Sequence, residues 1–222
     1  RHDIDLGAGG LAFTIEGVLT SQEADSLAAC AEAIYAFNGH SRFAPGIQTP
    51  AGMRQNMAAH WFPEHGARGF FDPLYSRFQH LLPAAVGGQP LFARLNEKIA
   101  CFKYGEGDQF KPHHDGIFPG QAASEDGVGV DEWVGVQSGL SMLLYLNDQD
   151  DGLQGGETRL FRPDGSGHVD VRPKKGMALF FRHGSGHDSI LHASLPVVGS
   201  VPKYLARMNT LYGKQRGSRR LF

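Results

Sequence analysis

The sequence predicts a mainly β domain with flanking helices. Two observations carry that expectation. Beyond about residue 95, the short apolar runs KIACFKY, LSMLLYLN, ETRLF, HVDVR, MALFF and YLARMNTLY alternate with clusters of Gly, Asp and Pro. Many short strands punctuated in this way point to a sandwich, barrel or jelly roll. Before that point, two stretches carry helical periodicity instead.

Taken in order, residues 11–19 (LAFTIEGVL) read as a strand rich in β-branched and aromatic residues. TSQEADSLAACAEAI follows as a helix. Thr20 and Glu23 have the spacing of a capping box, and Leu27, Ala31 and Ile34 recur on one face. DPLYSRFQHLL predicts a second helix capped by Asp72, with Pro73 in its first turn and a stripe of Leu74, Phe78 and Leu81. Residues 116–139 are glycine-rich with little periodicity. They are expected to form a long loop and are a candidate lid, with Trp133 and Phe118 supplying its apolar contacts.

The 222 residues are expected to form a single domain: 41% of them are apolar, enough for a sizeable core. Basic and acidic residues are nearly balanced, 21 against 23, which argues against a nucleic-acid binder needing a basic stripe. No apolar run reaches membrane-spanning length, and RHDIDLGAGG lacks the apolar region of a signal peptide. Cys30 and Cys101 are too few for a disulfide scaffold. We expect buried thiols in a reducing compartment, hence a cytoplasmic protein. The sequence does not fix an oligomeric state.

The chemistry gathers in two histidine-bearing windows. In FKPHHDGIF, an extended backbone puts His113 and Asp115 on one face and turns His114 away. A histidine and a carboxylate two residues apart can grip one metal ion, with His183, His187 or His192 as the third ligand. Two histidines and one carboxylate on one face of a metal leave three coordination positions open, the arrangement of non-haem Fe(II) oxygenases.

The neighbouring residues sharpen this. YGEGDQFKPHHD, then YLND, GGETRLF and HASLPVVGSVPKY occur in that order. They resemble the prolyl 4-hydroxylase branch of the Fe(II)/2-oxoglutarate dioxygenases, and VLTSQEADSLAACAE is similar to that family's opening segment. The resemblance covers most of the chain. It implies a double-stranded β-helix (jelly-roll) core over 96–215, with 1–95 supplying strands and supporting helices. It also implies His113, Asp115 and His192 as ligands of Fe(II), because His192 alone precedes the Pro196-Val197-x-Gly199 pattern. An intact Asp115, rather than the small residue of related halogenases, implies hydroxylation.

The same resemblance implies that Lys203 holds the distal carboxylate of 2-oxoglutarate, helped by Tyr145, with Tyr104 nearer the metal. The His192–Lys203 spacing is one residue longer than the family's, which makes Arg207 a rival. Lys203, Leu205, Arg207 and Asn209 share one face of an extended strand. If Lys203 takes the carboxylate, Arg207 belongs near the metal and the substrate. The implied reaction consumes O2 and 2-oxoglutarate, releases succinate and CO2, and hydroxylates an unactivated C–H bond. The expected substrate is a small molecule, an amino acid or a peptide. GMRQNMAAHWF resembles a family strand and places Arg54 and Asn56 near the site's mouth with Asn209 and Trp133 as further substrate contacts. The opposing expectations are a non-catalytic jelly-roll binding module and a cupin-type dioxygenase that needs no 2-oxoglutarate.

Overall fold

The computed structural model describes residues 1–37, 53, 56–61, 67–126, 129–184 and 186–221. Two antiparallel sheets face each other. The large one has ten strands, with a spine ordered His2–Asp3, Ala12–Ile15, Ala178–Arg182, Val130–Tyr145, Lys203–Arg220, Gln89–Leu95 and Ala85–Val86. Ile99–Tyr104 also pairs with Lys203–Arg220 and carries Met57–Trp61 on its far side, while Pro119–Ala123 pairs with Val130–Tyr145. The small sheet is ordered His168–Val171, Thr158–Phe161, His192–Ser194 and Phe110–His113. This is the expected jelly roll with helices outside it.

Alternation along the central strands sorts the core into two layers. Leu140, Met142, Leu144, Ala206 and Met208 face outward and pack with Ala24, Ala31 and Tyr35 of the Ser21–Phe37 helix and with Phe71 and Leu74 of the Ala67–Ser76 helix. Leu143, Tyr145 and Leu205 face inward with Phe102, Leu160 and Phe181, between the sheets. Strands buried on both faces read as continuous apolar runs, which is why LSMLLYLN is legible as a strand and its inward-facing Ser141 is not conspicuous.

The first helix begins as expected. The Thr20 N–H donates to Glu23 Oε2 at 2.8 Å and the Glu23 N–H donates to Thr20 Oγ1 at 3.2 Å, a reciprocal cap. The second expectation needs correction. The helix spans Ala67–Ser76, with Pro73 inside it rather than in its first turn, and a 3-10 turn at Gln79–Leu81 follows. Burial of Phe71, Leu74 and Tyr75 holds this segment against the hydrogen bond that proline forfeits.

The 116–139 stretch is also corrected. Pro119–Ala123 and the first half of Val130–Tyr145 form an antiparallel hairpin extending the large sheet, with Ala123 opposite Val130 and Ala122 opposite Asp131. Its glycines and polar residues hide the pattern, because partner strands supply the order: Trp133 pairs with Ser218 and Asp131 with Arg220. The chain's cysteines are both free thiols, Cys101 buried as expected and Cys30 exposed on its helix. No helix among the described residues is long and apolar enough to cross a membrane.

Candidate metal centre and co-substrate pocket

The small sheet brings the first and third predicted ligands together. His192 lies opposite His113 across the His192–Ser194 and Phe110–His113 strands. Asp115 follows two residues after His113. Ligand atoms of His113, Asp115 and His192 all lie within 4.8 Å of one another. His113 Nε2 is 3.8 Å from Asp115 Oδ1, and His192 Nε2 is 3.8 Å from Asp115 Oδ2. Asp115 and His192 are buried, and the His113 side chain is 14% exposed.

Both imidazoles are oriented by their backbone. His113 Nδ1 donates to the Lys111 carbonyl at 2.8 Å and His192 Nδ1 donates to the Ile190 carbonyl at 3.2 Å. Each ring is thus held as the tautomer whose Nε2 lone pair is free for a metal. Phe110 stacks on His113 at 3.5 Å between centroids, and Phe181 packs on His192 at 4.4 Å. Burial, reinforced by the neighbouring His192, pushes His113 down to about 4, and burial also lowers His192. Both are therefore neutral, as metal ligands must be. Burial opposes the charge on Asp115, but Arg207, the two imidazoles once protonated at low pH, and the Ser141 hydroxyl hold its carboxyl below the ordinary range.

A hydrogen-bonded chain behind the carboxylate went unread in the sequence. Ser141 Oγ donates to Asp115 Oδ2 at 2.5 Å, so the hydroxyl must accept from His183 Nδ1, 2.8 Å away. His183 Nε2 then accepts from Ser138 Oγ at 2.7 Å, and Ser138 Oγ accepts from the Phe118 N–H at 2.9 Å. His183 is therefore a buried prop for Asp115 rather than a ligand. The chain fixes one carboxylate oxygen and leaves Oδ1 for a cation. We expect Ser141→Ala to weaken Fe(II) or Mn(II) affinity by roughly 10–100-fold, measured by equilibrium dialysis. An unchanged affinity would show that the chain does not position the ligand. His114 is exposed and bonds Ser189 Oγ at 3.1 Å, away from the cluster, as alternation required.

Deeper in the barrel lies a cation. Lys203 is fully buried, and among the described residues its hydrogen-bond partner is Ser194 Oγ at 3.0 Å. Its Nζ sits 5.3 Å from the Tyr104 ring centroid and 5.8 Å from that of Tyr145. Tyr145 is buried and donates to Thr158 Oγ1 at 2.8 Å. Tyr104, expected nearer the metal, pairs directly with Lys203 and flanks its ammonium. Gly156 makes room for the lysine stem: with φ +70°, a Cβ there would stand 3.0 Å from Lys203 Cδ. Burial, only partly offset by Glu157, lowers Lys203 to about 7. A buried ammonium with no ion-paired carboxylate among the described residues is costly, and a carboxylate of a bound co-substrate would offset that cost. The donor set of two imidazole nitrogens and one carboxylate suits Fe(II) equally well.

Arg207 answers the register question. It lies on the same strand face, four residues on from Lys203, with Nη1 3.2 Å from Asp115 Oδ1 and its guanidinium carbon 5.1 Å from the Phe118 ring centroid. It thus stands at the metal level, not beside Lys203. Asn209 and Asn56 are both buried, Asn209 beside Ser141 in the strand register. Arg54 lies outside the described residues. Trp133 is corrected: it packs with Ala122, Val136, Leu211 and Phe92 in a separate cluster. It stands eight residues from Ser141, roughly 25 Å along the strand.

Two neutral imidazoles and a carboxylate in a jelly-roll barrel that also buries a lysine have the make-up of a mononuclear non-haem metal oxygenase site. The model of the 2OG-Fe(II) oxygenase superfamily matches residues 99–210, half of the chain, and the protein belongs to that family. It is an Fe(II)- and 2-oxoglutarate-dependent dioxygenase. Solved structures share its fold. A viral collagen prolyl hydroxylase from Paramecium Bursaria Chlorella virus-1, in complex with 2-oxoglutarate, is 20% identical with a TM-score of 0.56, covering 91% of this chain and 96% of that one. A Pseudomonas putida prolyl-4-hydroxylase is 19% identical with a TM-score of 0.57, covering 92% of each chain. A prolyl hydroxylase from Trichoplax adhaerens, bound to a hypoxia inducible factor peptide fragment, is 18% identical with a TM-score of 0.56, covering 92% and 83%. No curated protein matches the chain.

Proposed function

We propose that this chain hydroxylates an unactivated C–H bond of an amino acid, a peptidyl residue or a related small molecule. His113, Asp115 and His192 hold Fe(II), and Lys203 holds 2-oxoglutarate. The observation that carries the reading is the pairing of an oriented His–Asp–His cluster with a buried lysine that has no ion-pair contact among the described residues, on the same barrel. A metal site alone would suit a cupin, and a binding module needs neither group. Peptidyl substrates are supported by the prolyl hydroxylases that share the fold, one of them solved with a peptide. A cytoplasmic, reducing setting belongs to the same reading and is supported by two free thiols.

The bound iron and 2-oxoglutarate supply the oxidative decarboxylation that couples O2 to C–H hydroxylation. The chain's own residues do the rest. The backbone carbonyls of Lys111 and Ile190 aim two Nε2 atoms, and Ser141 fixes the carboxylate. Lys203 with Ser194 sets the depth to which the co-substrate enters, while Leu143, Leu160 and Phe181 keep the barrel dry. Test: admit O2 to anaerobically purified protein with Fe(II) and 2-oxoglutarate, and measure succinate with and without candidate amino acids and peptides. Absence of succinate under every condition would sink the reading.

The lysine makes the co-substrate's affinity depend on pH. In the free protein Lys203 loses its proton above about pH 7, whereas a bound carboxylate restores the ammonium. Binding then takes up a proton, and the dissociation constant of 2-oxoglutarate rises up to about tenfold per unit as pH climbs from 7 towards 9. Calorimetry at constant Mn(II), in buffers of different ionisation enthalpy, reads the proton uptake directly. A flat profile would mean that Lys203 is not the partner.

A further inference from the structure

This inference rests on the function proposed above, in which Lys203 holds 2-oxoglutarate and Asp115 carries the metal. Arg207 stands at the metal level. Among the described residues its one ion-pair partner is Asp115, whose charge the metal then takes. Among the described residues its buried Nε and Nη2 have no hydrogen-bond partner. The side chain is only 18% exposed. A guanidinium cannot shed its proton to escape this cost, so a buried one with unused N–H groups calls for an anion.

The surroundings add to the positive field. Lys98 is half-buried on the turn before Ile99–Tyr104, and Arg207 adds to the burial that lowers its affinity for a proton. Glu97, beside it, is already ion-paired with Arg94. The Phe118 ring packs against the guanidinium, its centroid 5.1 Å from Cζ. One step along the same strand face, Asn209 Oδ1 is buried with no partner among the described residues, an acceptor positioned for an N–H.

We infer that Arg207 binds a carboxylate of the primary substrate, with Asn209 accepting an N–H from the same molecule. The substrate class is therefore a free α-amino acid or a chain-terminal residue bearing its carboxylate, rather than an internal residue of a neutral peptide. Planar fork geometry suits a carboxylate in two-point contact. Arg207 is a specificity-determining residue, and the position of the carboxylate against the metal decides which C–H bond is presented.

The test uses the full chain, anaerobic, loaded with Fe(II) and 2-oxoglutarate. Its probes are the common L-amino acids, their primary carboxamides, and proline-containing tripeptides with free or amidated C-termini. Binding is read by the change each probe causes in the visible absorption of the loaded protein and by calorimetry. At least one acid should bind about tenfold or more tightly than its amide. Arg207→Gln should bring that ratio close to one, while Arg207→Lys keeps part of it. Amides binding as well as acids, or no carboxylate of the panel binding, would overturn the inference, as would an acid-to-amide ratio that Arg207→Gln leaves intact. Failure of the proposed function looks different: the absorption band would not form when 2-oxoglutarate is added, before any probe is present.

Discussion

Replacing Asp115 with alanine will abolish metal binding, with a loss well beyond the roughly 10–100-fold expected for the residues that merely support a ligand. His113→Ala and His192→Ala will do the same, while His114→Ala will leave the affinity near that of the parent. The contrast tests strand alternation as much as chemistry, because His113 and His114 are adjacent and only one joins the cluster of His113, Asp115 and His192. Asp115→Ala has a second consequence in the apoprotein. It removes the carboxylate beside Arg207 and the acceptor of Ser141, so a buried cation loses its partner. The apoprotein should lose about 3–5 kcal/mol of stability, read as a lower denaturant midpoint. His113→Ala removes no charge and should cost less. Metal retention by His113→Ala with loss in His114→Ala would place the register one residue out.

Lys203→Met separates binding from folding in opposite directions. Truncating one member of a buried charge pair costs about 2–5 kcal/mol. The dissociation constant of 2-oxoglutarate should therefore rise roughly 30-fold to several-thousand-fold. The free protein, however, should become more stable. In the folded chain Lys203 binds its proton less tightly than when unfolded, about 7 against an ordinary 10.5. The penalty is fully present below about pH 7. It fades as pH rises toward 10.5, where the unfolded chain also gives up the proton. Lys203→Met should thus raise the melting temperature at pH 6 and show less gain at pH 9. A variant that loses both stability and 2-oxoglutarate binding would mark Lys203 as an ordinary packing residue. Arg207→Gln, at the metal level, should not reproduce the gain in stability.

The parts of the site that were legible in the sequence are those fixed by strand alternation or by a local motif. His113 and Asp115 are two residues apart on one strand, and His192 is marked by the Pro-Val-x-Gly sequence that follows it. Lys203 and Arg207 share a face because they are four residues apart on an extended segment, and the structure keeps them there. Ser141 and Ser138 carry no such mark. They are small polar residues within a long strand, and their importance comes from a partner, His183, more than forty positions away. The hairpin of Pro119–Ala123 and Val130–Tyr145 is hidden in the sequence for a related reason. Few of its early residues favour strands, and its order comes from pairing with Lys203–Arg220. Trp133 shares that cause: as part of a loop it could fold over the metal, but as part of a strand it is carried away from it. Pro73 has the local signature of a helix start, but the apolar face of Phe71, Leu74 and Tyr75 sustains a helix on both sides of it.

On the proposed function, one barrel holds iron at His113, Asp115 and His192 and 2-oxoglutarate at Lys203. The most direct measurement is the visible absorption of the anaerobic protein as 2-oxoglutarate is added to the Fe(II)-loaded form. We expect a band in the parent and in His114→Ala, none in His113→Ala or Asp115→Ala, and one that requires far more 2-oxoglutarate in Lys203→Met. A band that survives in His113→Ala and Asp115→Ala, or that saturates at the parent's concentration in Lys203→Met, would contradict the account.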